Sequence, residues 1–329
     1  MKQEAFEQRY QALWDELSTQ LDAMEKSRFK RRNLTLQHER LPHLYRQVCN
    51  HYALARGRRY SPTLVEQLHQ LVLRGHQQLY TRRGAWLWRL LTFIAVDFPS
   101  SLRTHLSYFL VATLLFLVPA VLVGGFAMVD SDLIYSVISE GQVEDMEEMY
   151  RPDNDRPGRT LERSAESDFM MFGYYIMNNI GIGFRTFAMG ILAGIGTVFT
   201  LIYNGVVLGG VAGHLTSVGY TETFWSFVSG HSSLELTAIV ICGAAGLMLG
   251  HGVLAPGRYR RIDAIKQRAK QALPLVMGAG LMLFIAAFIE GFWSASAMPN
   301  VVKYAVGIAL WVLMILYFIF AGRGADGTR

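Results

Sequence analysis

Long apolar runs constrain the fold of this chain more than any other feature. Three of them lie at about His105–Met128, Leu273–Trp293 and Val301–Phe320, and a longer glycine-rich apolar stretch lies between Phe169 and Gly250. A transmembrane helix needs roughly 20 consecutive apolar residues, and 51% of the chain is hydrophobic. We therefore predict an all-α, polytopic helical membrane protein.

The charges are unevenly distributed along the sequence. Residues 1–103 carry 17 Lys and Arg against 9 acidic residues, residues 130–168 carry 4 Arg against 12 acidic residues, and residues 255–272 carry 6 basic residues against one Asp. Because Lys and Arg are retained on the cytoplasmic side, the first and third blocks are predicted inside and the acidic segment 129–168 outside. The basic loop 255–272 then lies in the cytoplasm. This topology accounts for the basic composition, so no nucleic-acid partner is predicted.

This orientation predicts about six crossings of a bacterial inner membrane, with both termini in the cytoplasm. The stretch 168–230 must cross an even number of times. We predict two closely joined spans, at about 169–189 and 190–214, broken near Asn178–Arg185. A re-entrant pair of half-helices is the alternative.

The N-terminal part has a different pattern. Residues 1–83 contain three amphipathic stretches, with apolar side chains three and four residues apart, which predict a cytoplasmic helical bundle. Residues 84–103 contain Trp86, Trp88 and Arg89 among apolar residues and fit a helix lying in the membrane interface. Residues 104–329 form the predicted transmembrane domain.

Polar side chains interrupt the apolar runs and form the candidate site. Hydrocarbon cannot solvate such groups, so they must face protein or a wet cavity. His231 and Glu235 are four residues apart on one helical face, and Arg185 is the only Lys or Arg between 164 and 257, which makes it the natural partner of Glu235. Such a cluster is a structural clamp, a proton relay or part of a transport path, and Glu290 either joins it or lies in the interfacial belt. The predicted intramembrane polar cluster comprises Asn178, Asn179, Arg185, Asn204, His231, Glu235 and Glu290.

Small residues recur in the same spans and permit close backbone approach between helices in lipid. Helix packing within the chain is the simpler interpretation, and a homodimer interface is the alternative. The predicted packing positions are Gly190, Gly194, Gly205, Gly209, Gly246 and Gly250.

Established catalytic patterns are missing from the sequence. It contains no HExxH helix, no GxSxG elbow and no phosphate-binding loop ending in GK[ST]. His231 and Glu235, in the sequence HSSLE, have no third metal ligand at a helical offset. Cys49 lies in the N-terminal part and Cys242 in an apolar run, so metal binding by the two thiolates is not predicted. We therefore predict no enzyme activity, no metal and no cofactor.

Several motifs, taken in order, resemble the stage II sporulation protein M family. They read NNIGIGFRTFAMGILAGIGTVFTLIYNG, then GHSSLELTAIVICGAAGLMLG, then IAAFIEGFW after the basic loop, and the resemblance runs from about Phe93 to Phe320. One difference is Gly230-His231-Ser232, where family members usually have proline-histidine-glycine before the glutamate. The resemblance implies matching positions at Asn179, Gly190, Asn204, Gly205, His231, Glu235, Gly246 and Glu290.

The same resemblance implies a membrane-embedded organiser of a complex, linked to peptidoglycan remodelling in spore formers and not itself an enzyme. Relatives in bacteria that never sporulate are often encoded beside a MoxR-type AAA+ ATPase and a von Willebrand-like domain protein, which makes these the expected protein partners beside membrane lipids. Our leading hypothesis is a non-enzymatic inner-membrane scaffold. The alternative is a transporter or channel for an ion, lipid or lipid-linked precursor, for which a wet cavity reaching Glu235 is the expected sign.

Overall fold

The computed structural model describes residues 2–26, 40–80, 85–153 and 165–323, and this part of the chain is helical without strands. The all-α prediction is confirmed. The basic residues at 27–33 and 82–83, the segment 154–164 and the residues after 323 lie outside the described residues. The helices are α1 Gln3–Lys26, α2 Leu41–Gly57, α3 Pro62–Tyr80, α4 Ala85–Thr92, α5 Phe98–Thr104, α6 Leu106–Val129, α7 Glu140–Tyr150, α8 Ala165–Ala188, α9 Ile195–Ser217, α10 Thr221–Ser229, α11 Ser232–Leu254, α12 Arg261–Phe288 and α13 Asn300–Phe320.

The chain divides into two compact units, residues 1–90 and 91–329. In the first unit, α1, α2 and α3 pack around one apolar core, as their three- and four-residue spacing predicts. Trp14 and Phe6 are fully buried there, and the ring of Tyr45 fills the space beside Gly75.

The second unit contains the membrane-spanning helices. Five of them are long and apolar enough to cross a bilayer, and they are α6, α9, α11, α12 with its extension to Ser294, and α13. Helix α8 has 24 residues, as many as α6, but Asn178, Asn179 and Arg185 make it less apolar. The chain is therefore a multi-pass membrane protein, and the sixth crossing, through α8, stays a prediction.

The pair α8–α9 differs from the predicted break. Helix α8 continues through Asn178–Arg185, and the chain turns only at Met189–Gly194, where Ala193 and Gly194 have φ values of 54° and 81°. Both helices are complete, with 24 and 23 residues, or about 36 and 34 Å at 1.5 Å per residue. Such lengths match two spans rather than half-helices, since a bilayer core is about 30 Å thick.

Glycines allow close backbone contacts between these helices. A Cβ on Gly209 would lie 2.1 Å from the carbonyl oxygen of Ala120 on α6, and one on Gly205 would lie 2.2 Å from that of Phe116. A second contact joins the α8–α9 turn to α11, where Gly190 faces Gly246 and Gly194 faces Gly250. All six predicted glycines thus lie at contacts within the chain, while the homodimer stays a prediction.

The predicted interfacial segment has two parts with different surroundings. On α4, Trp86 and Trp88 are 67% and 73% exposed. Helix α5 instead packs inward, with the ring of Phe98 against Gly278 and Arg103 donating to the carbonyl oxygens of Phe318 and Ala321 at 3.0 and 2.7 Å. Helix α5 therefore packs within the second unit, where Arg103 bonds carbonyl groups at the C-terminal end of α13.

Candidate functional site

Helices α8, α11 and α12 bring polar side chains together at the end of the membrane unit near α7. His231 immediately precedes α11, and Glu235 lies one turn later on the same face. Glu290 lies in a π-helical segment, Ile289–Ser294, that continues α12. The potential ligand atoms of His231, Glu235 and Glu290 all lie within 4.8 Å of one another. We call these three residues the His–Glu–Glu cluster.

Tight local packing fixes the entry to α11. The ring of Trp293 lies against Gly230, where a Cβ would come within 2.4 Å of it, and Gly291 lies against Phe172. π-Helical turns are rare and often occur at functional sites, because the extra residue shifts the side chains that follow. Here the wider turn contains Glu290 and places Ser294 beside His231.

Hydrogen bonds from other helices hold the cluster. Asn179 on α8 donates from Nδ2 to Glu290 Oε2 at 3.2 Å, and His231 Nδ1 lies 3.1 Å from Ser294 Oγ. On α13, Lys303 donates from Nζ to the carbonyl oxygen of Ser294 at 2.7 Å. His231 Nε2 faces Glu235 Oε2 at 3.8 Å. Four helices are therefore linked at one point.

The cluster is largely shielded from solvent. His231 is 5% exposed and Lys303 is 1% exposed, while the Glu235 side chain retains 17%. The ring of Phe227 on α10 lies 5.4 Å from that of His231, and Tyr150 on α7 packs against Phe227 in turn.

The pKa of the Tyr150 phenol is sensitive to the two carboxyl groups of the cluster. Its pKa is raised well above the ordinary value, first by burial and then by the neighbouring Tyr175, Glu290 and Glu235. The C-terminus of α7 therefore lies close to the carboxylates.

Other predicted members of the polar cluster lie elsewhere. Arg185 is exposed, and its Nε donates to the Gly181 carbonyl oxygen at 3.1 Å, so the predicted pairing with Glu235 is wrong. Asn178 is also exposed and donates to Asn179 Oδ1, while Asn204 donates to the Thr200 carbonyl oxygen one turn earlier. Arg185 lies six residues beyond Asn179 on α8, or about 9 Å along the helix axis.

Sequence analysis missed Lys303. Lys303 lies on α13, far along the chain from residues 164–257, in which Arg185 is the only Lys or Arg. The available signal was a single lysine within an otherwise apolar span, three residues after the start of α13. Glu290 is the third potential ligand that the HSSLE spacing does not provide, and it comes from another helix.

A second group of contacts joins the acidic helix α7 to α9. His214, near the end of α9, contacts Glu147 Oε1 on α7 at 2.7 Å through Nε2 and the Ser131 carbonyl oxygen at 3.0 Å through Nδ1. Tyr150 and Val143 on α7 are buried as well. The acidic helix α7 therefore has one face docked against the rest of the second unit and one exposed face.

Comparison with protein-family models gives two matches. The model described as stage II sporulation protein M covers residues 107–295, more than half of the 329-residue chain. A domain family of unknown function (DUF8413) covers residues 4–81, which corresponds to the helices of the first unit. No curated protein and no solved structure gave a significant match. From its matching motifs, its helical membrane fold and the family model over residues 107–295, the chain belongs to the stage II sporulation protein M family.

Proposed function

We propose that this protein is a non-enzymatic scaffold of the bacterial cytoplasmic membrane that organises a protein complex linked to the cell envelope. The observation that carries the proposal is the internal bonding of the intramembrane polar residues. Asn179 bonds Glu290, His231 contacts Ser294, and Asn204 bonds its own helix.

This hydrogen bonding supports a structural role in helix packing over a role in solute transport. A transport route presents its polar groups to a water-filled passage, because substrate must exchange its hydration for them. Asn179 and His231 are instead 2% and 5% exposed and contact neighbouring helices. A bonded cluster of this kind fixes helix positions and gives partners a rigid surface.

The N-terminal unit offers a surface for a soluble partner. Helix α2 contains no acidic residue, and its Arg46 and Arg56 side chains are exposed, as are Arg58 and Arg59 just after it. An exposed basic face attracts an acidic surface and steers its approach at low ionic strength. The family resemblance suggests a MoxR-type AAA+ ATPase or a von Willebrand-like domain protein as that partner, recruited from the cytoplasm.

Capture of partners by the intact protein tests the proposal. The full-length protein would be crosslinked in cells, purified in detergent, and its partners identified by mass spectrometry. Arg46→Glu combined with Arg56→Glu should reduce recovery of the cytoplasmic partner at least ~10-fold, since each reversal replaces attraction by repulsion. Lys2→Glu combined with Arg9→Glu makes the same charge change on exposed positions of the N-terminal unit and should leave recovery within about twofold.

A flux assay provides the opposing outcome. If purified protein in liposomes moved an ion or lipid, and if Glu235→Gln abolished that movement, the scaffold proposal would be replaced by transport.

A further inference from the structure

Three chemically suitable ligand groups meet in the His–Glu–Glu cluster. One imidazole and two carboxylates come from the start of α11 and the π-helical end of α12, with their ligand atoms within 4.8 Å of one another. This donor set suits a borderline divalent cation such as Zn²⁺, which accepts histidine nitrogen together with carboxylate oxygen.

His231 presents a nitrogen that no hydrogen bond occupies. Its Nδ1 contacts Ser294 Oγ at 3.1 Å, whereas Nε2 faces Glu235 and makes no hydrogen bond within the described part of the chain. The residue is 5% exposed, so bulk water does not readily replace that missing partner. When Nδ1–H donates to the serine hydroxyl, the Nε2 lone pair is left facing Glu235, which is the arrangement of a metal-binding histidine.

The carboxylates are arranged in a similar way. Asn179 bonds one oxygen of Glu290, which orients the group, while the Glu235 carboxylate makes no hydrogen bond within the described residues. Two neighbouring carboxylates in a shielded site are costly unless a proton or cation compensates them. Lys303 on α13 donates from Nζ to the carbonyl oxygen of Ser294, the residue whose hydroxyl contacts His231.

Zn²⁺ binding requires the three ligand atoms to draw closer together. Two ligand atoms of a tetrahedral Zn²⁺ ion with bonds of about 2.0–2.2 Å lie roughly 3.3–3.6 Å apart. His231 Nε2 and Glu235 Oε2 are 3.8 Å apart, slightly beyond that separation. The ligand atoms of the three residues all lie within 4.8 Å of one another, so the other pairs need to approach by at most about 1.5 Å.

We propose that His231, Glu235 and Glu290 bind one Zn²⁺ ion, with the fourth position of its tetrahedron filled by water. Asn179 and Ser294 orient Glu290 and His231. The ion would fasten α11 to α12 beneath α7 and so adds a metal-binding site to the proposed scaffold.

Metal titration of the purified full-length protein tests the site. The protein would carry a tag without histidines, be stripped with a chelator in detergent, and be titrated with Zn²⁺. We expect one Zn²⁺ per chain by elemental analysis, and visible absorption bands of tetrahedral character when Co²⁺ is added instead. Glu235→Gln and Glu290→Gln each keep the shape of the side chain and should weaken Zn²⁺ binding at least ~10-fold, and Asn179→Ala should weaken it by about tenfold.

Glu147→Gln is the matched control, because Glu147 contacts another buried histidine, His214, outside the cluster. It should leave the Zn²⁺ affinity unchanged. Size-exclusion chromatography identifies any variant that fails to fold. Glu235→Gln, Glu290→Gln and Asn179→Ala change three different side chains, so each provides a separate test. Substoichiometric Zn²⁺ on the wild-type protein, or equal Zn²⁺ affinity in the wild type and a folded cluster variant, would overturn the proposal.

Discussion

At the scale of single residues, His51 shows how one buried imidazole makes the N-terminal unit sensitive to pH. Its Nδ1 accepts a hydrogen bond from Trp14 Nε1 at 3.1 Å, and the rings of Phe6 and Tyr10 pack against it. Burial lowers the pKa of His51 below its ordinary value of 6.5, because the charged form loses its hydration.

The sign of the pH dependence follows from this shift. Since the folded pKa is lowered, the unfolded chain binds the proton first, and the stability that His51 provides is complete above pH 6.5 and is lost as the pH falls through the folded pKa. We expect faster hydrogen exchange in α1 and α2 of the full-length protein below pH 6, after correction for intrinsic rates. His51→Gln retains an acceptor for Trp14 but cannot titrate, so its exchange should stay flat with pH, and a wild-type profile equally flat would contradict the prediction.

Residue-level inference worked for contacts within one helix and failed for contacts between helices. The four-residue spacing places His231 and Glu235 on one face, as the structure has them. The choice of Arg185 as their cation assumed that a nearby position in sequence is near in space, whereas α8 carries Arg185 away from the cluster. Glu290 and Lys303 reach the cluster only through the packing of α12 and α13, and residue spacing within one helix cannot predict that packing.

At the scale of helices, the contact between α6 and α9 depends on glycines four residues apart. Gly205, Gly209 and Gly213 face carbonyl oxygens of Phe116, Ala120 and Gly124 at distances that leave no space for a methyl group. Such contacts replace the hydrophobic force that lipid does not provide between helices.

Gly209→Ala should therefore separate the two helices. The new Cβ would lie 2.1 Å from a backbone oxygen, and overpacking of this kind typically costs about 1–3 kcal/mol. We expect a lower midpoint in thermal unfolding monitored by fluorescence-detected size exclusion. Gly125→Ala on α6 meets no atom within 4 Å and is the matched control. Equal midpoints for both variants would show that the contact is looser than described.

Helix content was predictable from the sequence because periodicity and apolar length act locally. Serine followed by proline is typical of a helix start, and α3 begins at Pro62, directly after Ser61. The turn at Met189–Gly194 and the π-helical end of α12 were not predictable, because both depend on neighbours such as Gly246 and Trp293 that lie far away in the sequence.

At the scale of the whole molecule, charge separates the two ends of the spans. Helix α7 contains five acidic residues and no basic one, and it docks beside the His–Glu–Glu cluster through His214. The loop between α11 and α12 carries Arg258 and Arg260 at the other end, and Arg261 begins α12. Because translocation disfavours arginine more than acidic residues, the cluster is expected at the outer surface.

Cysteine labelling in spheroplasts tests this orientation. Single cysteines would be introduced in a Cys49→Ser background, at the exposed positions Glu148 on α7 and Tyr259 in the loop, with the buried Cys242 retained. Glu148→Cys should react with a membrane-impermeant maleimide in intact spheroplasts, and Tyr259→Cys only after lysis, because their segments differ in charge. Glu16→Cys on α1 should follow Tyr259→Cys, since residues 1–103 carry 17 basic residues against 9 acidic ones. Labelling of Tyr259→Cys before lysis would show that the topology is the reverse of the predicted one. The His–Glu–Glu cluster and its proposed ion would then lie at the cytoplasmic surface.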